Sequence, residues 1–130
     1  SEWEWEKAAR GVDGRAFPWG DHEEDTWACT LYAHAGRPLL APVDAYPEDE
    51  SPYGLRHCAG NVHEWVLESR EDPVPEARAT LPPVGDAVFR VIRGGAWHMA
   101  VRHARCELRH GTQAISRLPY LGFRLARGLE

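Results

Sequence analysis

Three cysteines, Cys29, Cys58 and Cys106, are all the chain has, and none stands at the C-x-x-C spacing of a structural zinc site. An odd count far apart in sequence excludes a fully paired disulfide framework. It favours a reducing, cytoplasmic setting, with one disulfide plus a free thiol as the alternative. Long apolar runs are missing too. None approaches the roughly 20 residues of a membrane span, and no basic-then-apolar leader opens the chain. There is no internal repeat. A formal net charge of −5 removes the basic character expected of a nucleic-acid binder.

What is present suits one globular domain: 130 residues, 43% apolar and 27% charged. The charge is unevenly spread. Between Arg90 and Arg127 stand eight arginines and one acid, Glu107, whereas the first 87 residues hold 18 acids and seven basic residues. Arginines spaced among Trp, Leu and Phe read as partners for carboxylates elsewhere in the fold; an anion-binding face is the competing reading.

Ser1-Glu2-Trp3-Glu4 has the form of a capping box, helix formers follow to Arg10, and Gly11 is a suitable stop. Residues 11–57 are rich in Gly, Pro, Asp and aromatics, the composition of ordered loops. A short apolar stretch follows Gly60-Asn61, and residues 69–87 read as an exposed acidic, Pro-rich excursion. Val88-Phe89-Arg90-Val91-Ile92-Arg93 predicts a strand ending at Gly94-Gly95, and residues 121–126 alternate as a second strand. The fold class expected is α+β, with short strands, few helices and long ordered loops. Trp3, Trp5, Trp19 and Trp65 are expected in the core, and Gly94, Gly95 and Gly122 at close backbone approaches.

Four segments in series carry a resemblance: Glu2-Trp3-Glu4-Trp5-Glu6-Lys7-Ala8-Ala9-Arg10-Gly11, Phe17-Pro18-Trp19-Gly20-Asp21, Tyr53-Gly54 through Gly60-Asn61-Val62-His63-Glu64-Trp65, and Arg90-Val91-Ile92-Arg93-Gly94-Gly95-Ala96-Trp97 closing with Leu121-Gly122-Phe123-Arg124. Together they resemble the formylglycine-generating-enzyme (sulfatase-modifying-factor) family, a bacterial-type domain of C-type-lectin-like fold. The resemblance implies that residues 1–130 are the C-terminal portion of one such domain, part of a longer chain. Kinase-linked members and retroelement-diversified variable proteins share the framework.

The resemblance also implies sites. Gly60, Asn61, Val62 and Glu64 match a family calcium loop, where carbonyl, amide and carboxylate oxygens would form half a shell for Ca²⁺. Thr26-Trp27-Ala28-Cys29-Thr30 lacks the Asn of a second calcium site. The family's copper chemistry takes two thiolates five residues apart; Cys106 matches the second and Val101 stands at the first, so copper is not expected. Related iron-dependent sulfoxide synthases draw their metal from histidines of a separate domain. His57 and His63 read as surface or packing residues.

These readings lean away from an enzyme. The expected function is a non-catalytic module that binds a protein or small molecule through residues 96–120, with Ala96, Trp97, His98, His103, Leu108, His110, Thr112, Gln113, Leu118 and Tyr120 as candidate contacts. That segment has the mixed composition of a diversified surface. The alternative is a metal-dependent oxidase acting on a protein cysteine, with Cys106 and His98 or His103 as its metal ligands.

Overall fold

Helix α1, Glu2–Arg10, has chemically marked ends: the Ser1 hydroxyl accepts from the Glu4 amide at 3.3 Å, the Glu4 carboxylate returns to Ser1, and Gly11 closes the helix at φ 74°. Glu2, Trp5 and Ala9 form its buried stripe. Trp3 lies off that stripe and is 55% exposed, which corrects the expectation of a core residue. Two residues apart on a helix, Trp3 and Trp5 cannot face the same way.

The computed structural model describes residues 1–69 and 88–128, so the excursion expected after Ser69 lies outside the described residues. Four strands form one mixed sheet: β1 (His63–Ser69), β2 (Phe89–Arg93), β3 (His110–Gln113) and β4 (Leu121–Gly122), in the order β3-β2-β1-β4. β2 is antiparallel to both β1 and β3, and β4 runs parallel to β1. Single 3-10 turns at Asp25–Trp27 and Val101–Ala104 punctuate the loops. The result is a small α+β domain.

Alternation of side chains along a strand sorts the chemistry. Glu64 and its register partner Arg93 turn toward α1. Neighbouring His63 therefore points to the other face. The strand expected over residues 121–126 is only two residues long. The in-out pattern continues, with Phe123 and Leu125 exposed and the Arg124 guanidinium turned inward to Glu64, but no strand ladder accompanies it. The amphipathic period was real, but pairing with β1 covers only Leu121 and Gly122.

The core is assembled from small residues that let loops approach closely. Cys58 and Cys106 pack with Trp5 and Ala9, Ala16 and Phe17 with Val101, and Ala28 and Ala59 with Ala104. Gly95 shows why the Gly-Gly bend is needed: at φ 73° a Cβ there would lie 2.8 Å from that of Ala104.

Arginines of the C-terminal third pair with acids of the first part, as internal pairing requires. Arg109 meets Glu2 at 2.8 Å, Arg124 meets Glu64 at 2.7 Å, and Arg93 meets Glu6. Glu64 also accepts from Trp5 Nε1 at 2.7 Å. Removing one partner of a buried pair strands the other. Glu64→Ala is therefore expected to lower unfolding free energy in urea by about 3 kcal/mol or more. Trp3→Ala, on the exposed side of the same helix, should stay within about 0.5 kcal/mol of the parent.

Candidate functional site

The sheet face turned away from α1 gathers aromatic and histidine rings. His63 opens β1 and His110 opens β3, and their ring centroids lie 4.9 Å apart across β2. The loop after the Gly-Gly bend brings in Trp97, His98 and Met99. It is pinned by backbone bonds from Trp97 N to Asn61 O and from Leu31 N to Met99 O, both 2.9 Å. Met99 Sδ sits 3.2 Å from His63 Nε2. Tyr120, just before β4, stacks obliquely on His98 at 4.2 Å, and Trp97 meets His98 edge-on at 5.2 Å.

Protonation on this face is constrained. His110 Nε2 lies 3.1 Å from the His103 carbonyl, which can only accept, so that nitrogen carries the proton. Burial, with His110 and His98 adding to it, lowers the pKa of His63 to about 4. Burial also lowers that of His98. Trp97 Nε1 and His98 Nδ1 are buried with no hydrogen bond to a described residue.

Of the contacts expected from the sequence, Trp97, His98, His110 and Tyr120 come together here, and His103 joins through its carbonyl. The others serve different ends. Ala96 is core. Leu108 gives its carbonyl to Arg93 Nη1 at 3.0 Å, Thr112 pairs with Ser116 at 2.9 Å, and the Leu118 carbonyl takes Leu121 N at 3.1 Å. Gln113 ends β3, exposed. His63 was missed as a site residue; its signal was its place beside Glu64 at the start of a strand, which puts the two on opposite faces.

The two side chains of the candidate calcium loop have protein partners. Glu64 Oε1 and Oε2 accept from Arg124, and Oε2 also takes Trp5 Nε1. Asn61 Oδ1 accepts from Ala41 N at 3.0 Å, and its amide nitrogen lies 3.3 Å from Ala41 O. Gly60 donates to the Gly94 carbonyl at 2.6 Å, and Val62 supplies a methyl 3.1 Å from where a Gly122 Cβ would stand. Calcium asks for six to eight oxygens, and the two side chains that could start the shell are already bonded. Cys58 and Cys106 share one buried cluster as free thiols. Burial pushes Cys58 up to about 12 and Cys106 up as well, which keeps both protonated in the metal-free chain. Among the described residues no three His, Cys, Asp or Glu side chains are grouped to hold a metal ion.

Residues 1–129 match the family model of the sulfatase-modifying factor enzyme 1-like domain. The chain is similar to the hercynine oxygenase of Mycolicibacterium smegmatis, 36% identical over 97% of this chain and 32% of that protein. It is similar as well to the serine/threonine-protein kinase pkn1 of Chlamydia pneumoniae, 35% identical over the whole chain and 21% of the kinase. Among solved structures, Treponema denticola variable protein 1 superposes with a TM-score of 0.72 at 26% identity, over 95% of this chain and 44% of that one. The chain thus spans about a third or less of the curated relatives it matches. The oxygenase match corrects the sequence-based lean against an enzyme. Val101 in place of a thiolate bears only on a copper dithiolate centre; it carries no weight against oxidation chemistry whose metal is held by other residues.

The His63 ring makes stability depend on pH. Its folded pKa of about 4 lies below the ordinary 6.5, so above 6.5 both states are neutral and stability is full. As pH falls through that window only the unfolded chain gains the proton, and stability drops until it levels near the folded value. Between pH 7 and pH 5 the loss from this residue is expected to be about 2 kcal/mol. Urea titrations of the parent and His63→Gln at both pH values check it: the variant should lose that much less, and equal losses would refute the buried neutral ring.

Proposed function

The chain belongs to the sulfatase-modifying factor enzyme 1-like family, and on that footing we propose that it is the substrate-holding part of an oxygen-dependent oxidase. In this reading residues 1–130 are the C-terminal portion of a C-type-lectin-like domain within a longer chain. One observation carries it: Trp97, His98 and Tyr120 converge over His63 and His110, with Trp97 Nε1 and His98 Nδ1 buried without a hydrogen bond to any described residue. An unmet buried polar group costs about 1–3 kcal/mol, which a ligand with matching polar atoms would recover. Flat, uncharged rings with a few converging polar atoms suit a small planar substrate. An oxygen-activating metal held by residues outside this chain would supply the electron transfer to O₂.

The match of this whole chain to 21% of a chlamydial kinase, and the likeness to a variable protein, favour a second reading. There the same face docks a protein, with residues 96–120 as its varied surface.

Oxygen uptake by the full-length protein, with hercynine as the probe, separates the two. His98→Ala and Tyr120→Phe are expected to lower kcat/KM about tenfold or more, a loss near 1.4 kcal/mol each, with metal content unchanged. Cys106→Ala should alter neither. Metal lost on Cys106→Ala would overturn the proposal, and absence of oxygen uptake with a protein still captured on this face would favour the second reading.

A further inference from the structure

A groove of about 590 Å³ runs beside α1, bordered by that helix, β1 and the C-terminal segment 124–128. None of the rings gathered over His63 and His110 lines it. Its body is apolar: Trp5 and Ala8 come from the helix, Leu55 from the loop before Cys58, and Trp65 and Leu67 from β1. Leu67 is 40% and Leu125 88% exposed, so apolar surface is left open on two of its sides. The volume lies in the range that holds a small organic molecule, roughly 300–1,000 Å³.

Charge along the groove is uneven. Glu4, its acid, is bonded to the Ser1 hydroxyl and turns outward, with 81% of its side chain exposed. The C-terminal wall carries two guanidiniums, Arg124 and Arg127. Arg124 is fixed in place: Nε and Nη2 donate to Glu64 and to the carbonyls of Arg56 and His57. Glu64 balances its charge, yet Nη1 keeps two unused N–H donors and is not closed off from solvent. Arg127 is exposed and has neither hydrogen bond nor ion pair to any described residue. Its charge is therefore the unbalanced one at this groove.

We infer that the groove binds an organic carboxylate with an apolar tail. The tail lies on Trp5, Leu55 and Trp65, and the carboxylate reaches Arg127, with the Arg124 Nη1 donors on the same wall. A planar guanidinium matches a carboxylate in charge and shape; an alcohol of the same length leaves Arg127 without a counter-charge.

Octanoate and 1-octanol test this, since they share a chain length and differ in charge. Titrated against the protein by NMR and followed on the indole signals of Trp5 and Trp65, octanoate is expected to bind about fivefold or more tighter than 1-octanol. Hexanoate, with two fewer methylenes to bury, should bind about tenfold more weakly than octanoate. Arg127→Gln, at an exposed position, should erase the preference for the acid while leaving 1-octanol binding and thermal unfolding unchanged. Ala8→Phe, which fills the groove from the helix, should block both probes while unfolding remains cooperative. Equal affinity for acid and alcohol, a preference that survives Arg127→Gln, undiminished binding to Ala8→Phe, no binding at all, or shifts confined to the Trp97 indole would overturn the inference. N-acetyl-dileucine set against its C-terminal amide distinguishes the source: the same preference there assigns the groove to the end of a protein chain, and its absence to a free aliphatic acid.

Discussion

Two buried charges on one face of the sheet, Glu64 and Arg93, hold the domain together around Trp5. Glu64 ties the Trp5 indole and the Arg124 guanidinium to β1. Arg93, 1% exposed, ties Glu6 of α1 and the carbonyls of Glu107 and Leu108 to β2, with its guanidinium 5.4 Å from the Trp5 ring centroid. Helix, sheet and C-terminal segment therefore meet in one network. Its members satisfy most of each other's polar atoms, which is the condition for a buried charge to be tolerated.

That network decides what the rest of the molecule is free to do. Glu64 is committed to structure, so the loop that resembles a calcium site has its carboxylate pointing into the domain. Cys58 and Cys106 lie under the same tryptophan, sealed and protonated, so their sulfur serves packing. The face proposed to meet a ligand is the opposite one, where alternation from Glu64 puts His63. There the 96–120 loops add rings whose polar atoms are incompletely used. Structural charge on one face and aromatic and histidine rings on the other follow from the two-residue period of a strand.

Much of this was readable residue by residue. The capping box at Ser1, the strand before Gly94-Gly95 and the framework arginines each depend on local pattern or on pairing that charge distribution already implies. Four of the expected contacts, Trp97, His98, His110 and Tyr120, converge. The misses have a common physical cause. Trp3 was placed in the core by its type, whereas helical phase decides. Residues 121–126 alternate as a strand should, but how far they pair with β1 is set by packing, and the ladder stops at Gly122. His63 and His57 are buried, as a packing reading has it, and sequence could not show what their two ring nitrogens meet.

The sequence alone determined the family, the α+β class and the need for close backbone passages at Gly94-Gly95, because these rest on local conformation and on motifs in fixed order. It also established that a copper dithiolate could not form at residues 101 and 106, since valine has no donor atom. Only the tertiary structure decided where the charges went. Whether Glu64 faces an ion or Arg124, whether Cys106 is exposed or sealed with Cys58, and which rings surround His63 depend on contacts between segments 47 to 107 residues apart. Burial and partner identity at that range are properties of the packed chain, and they convert the same residue types from ligands into framework.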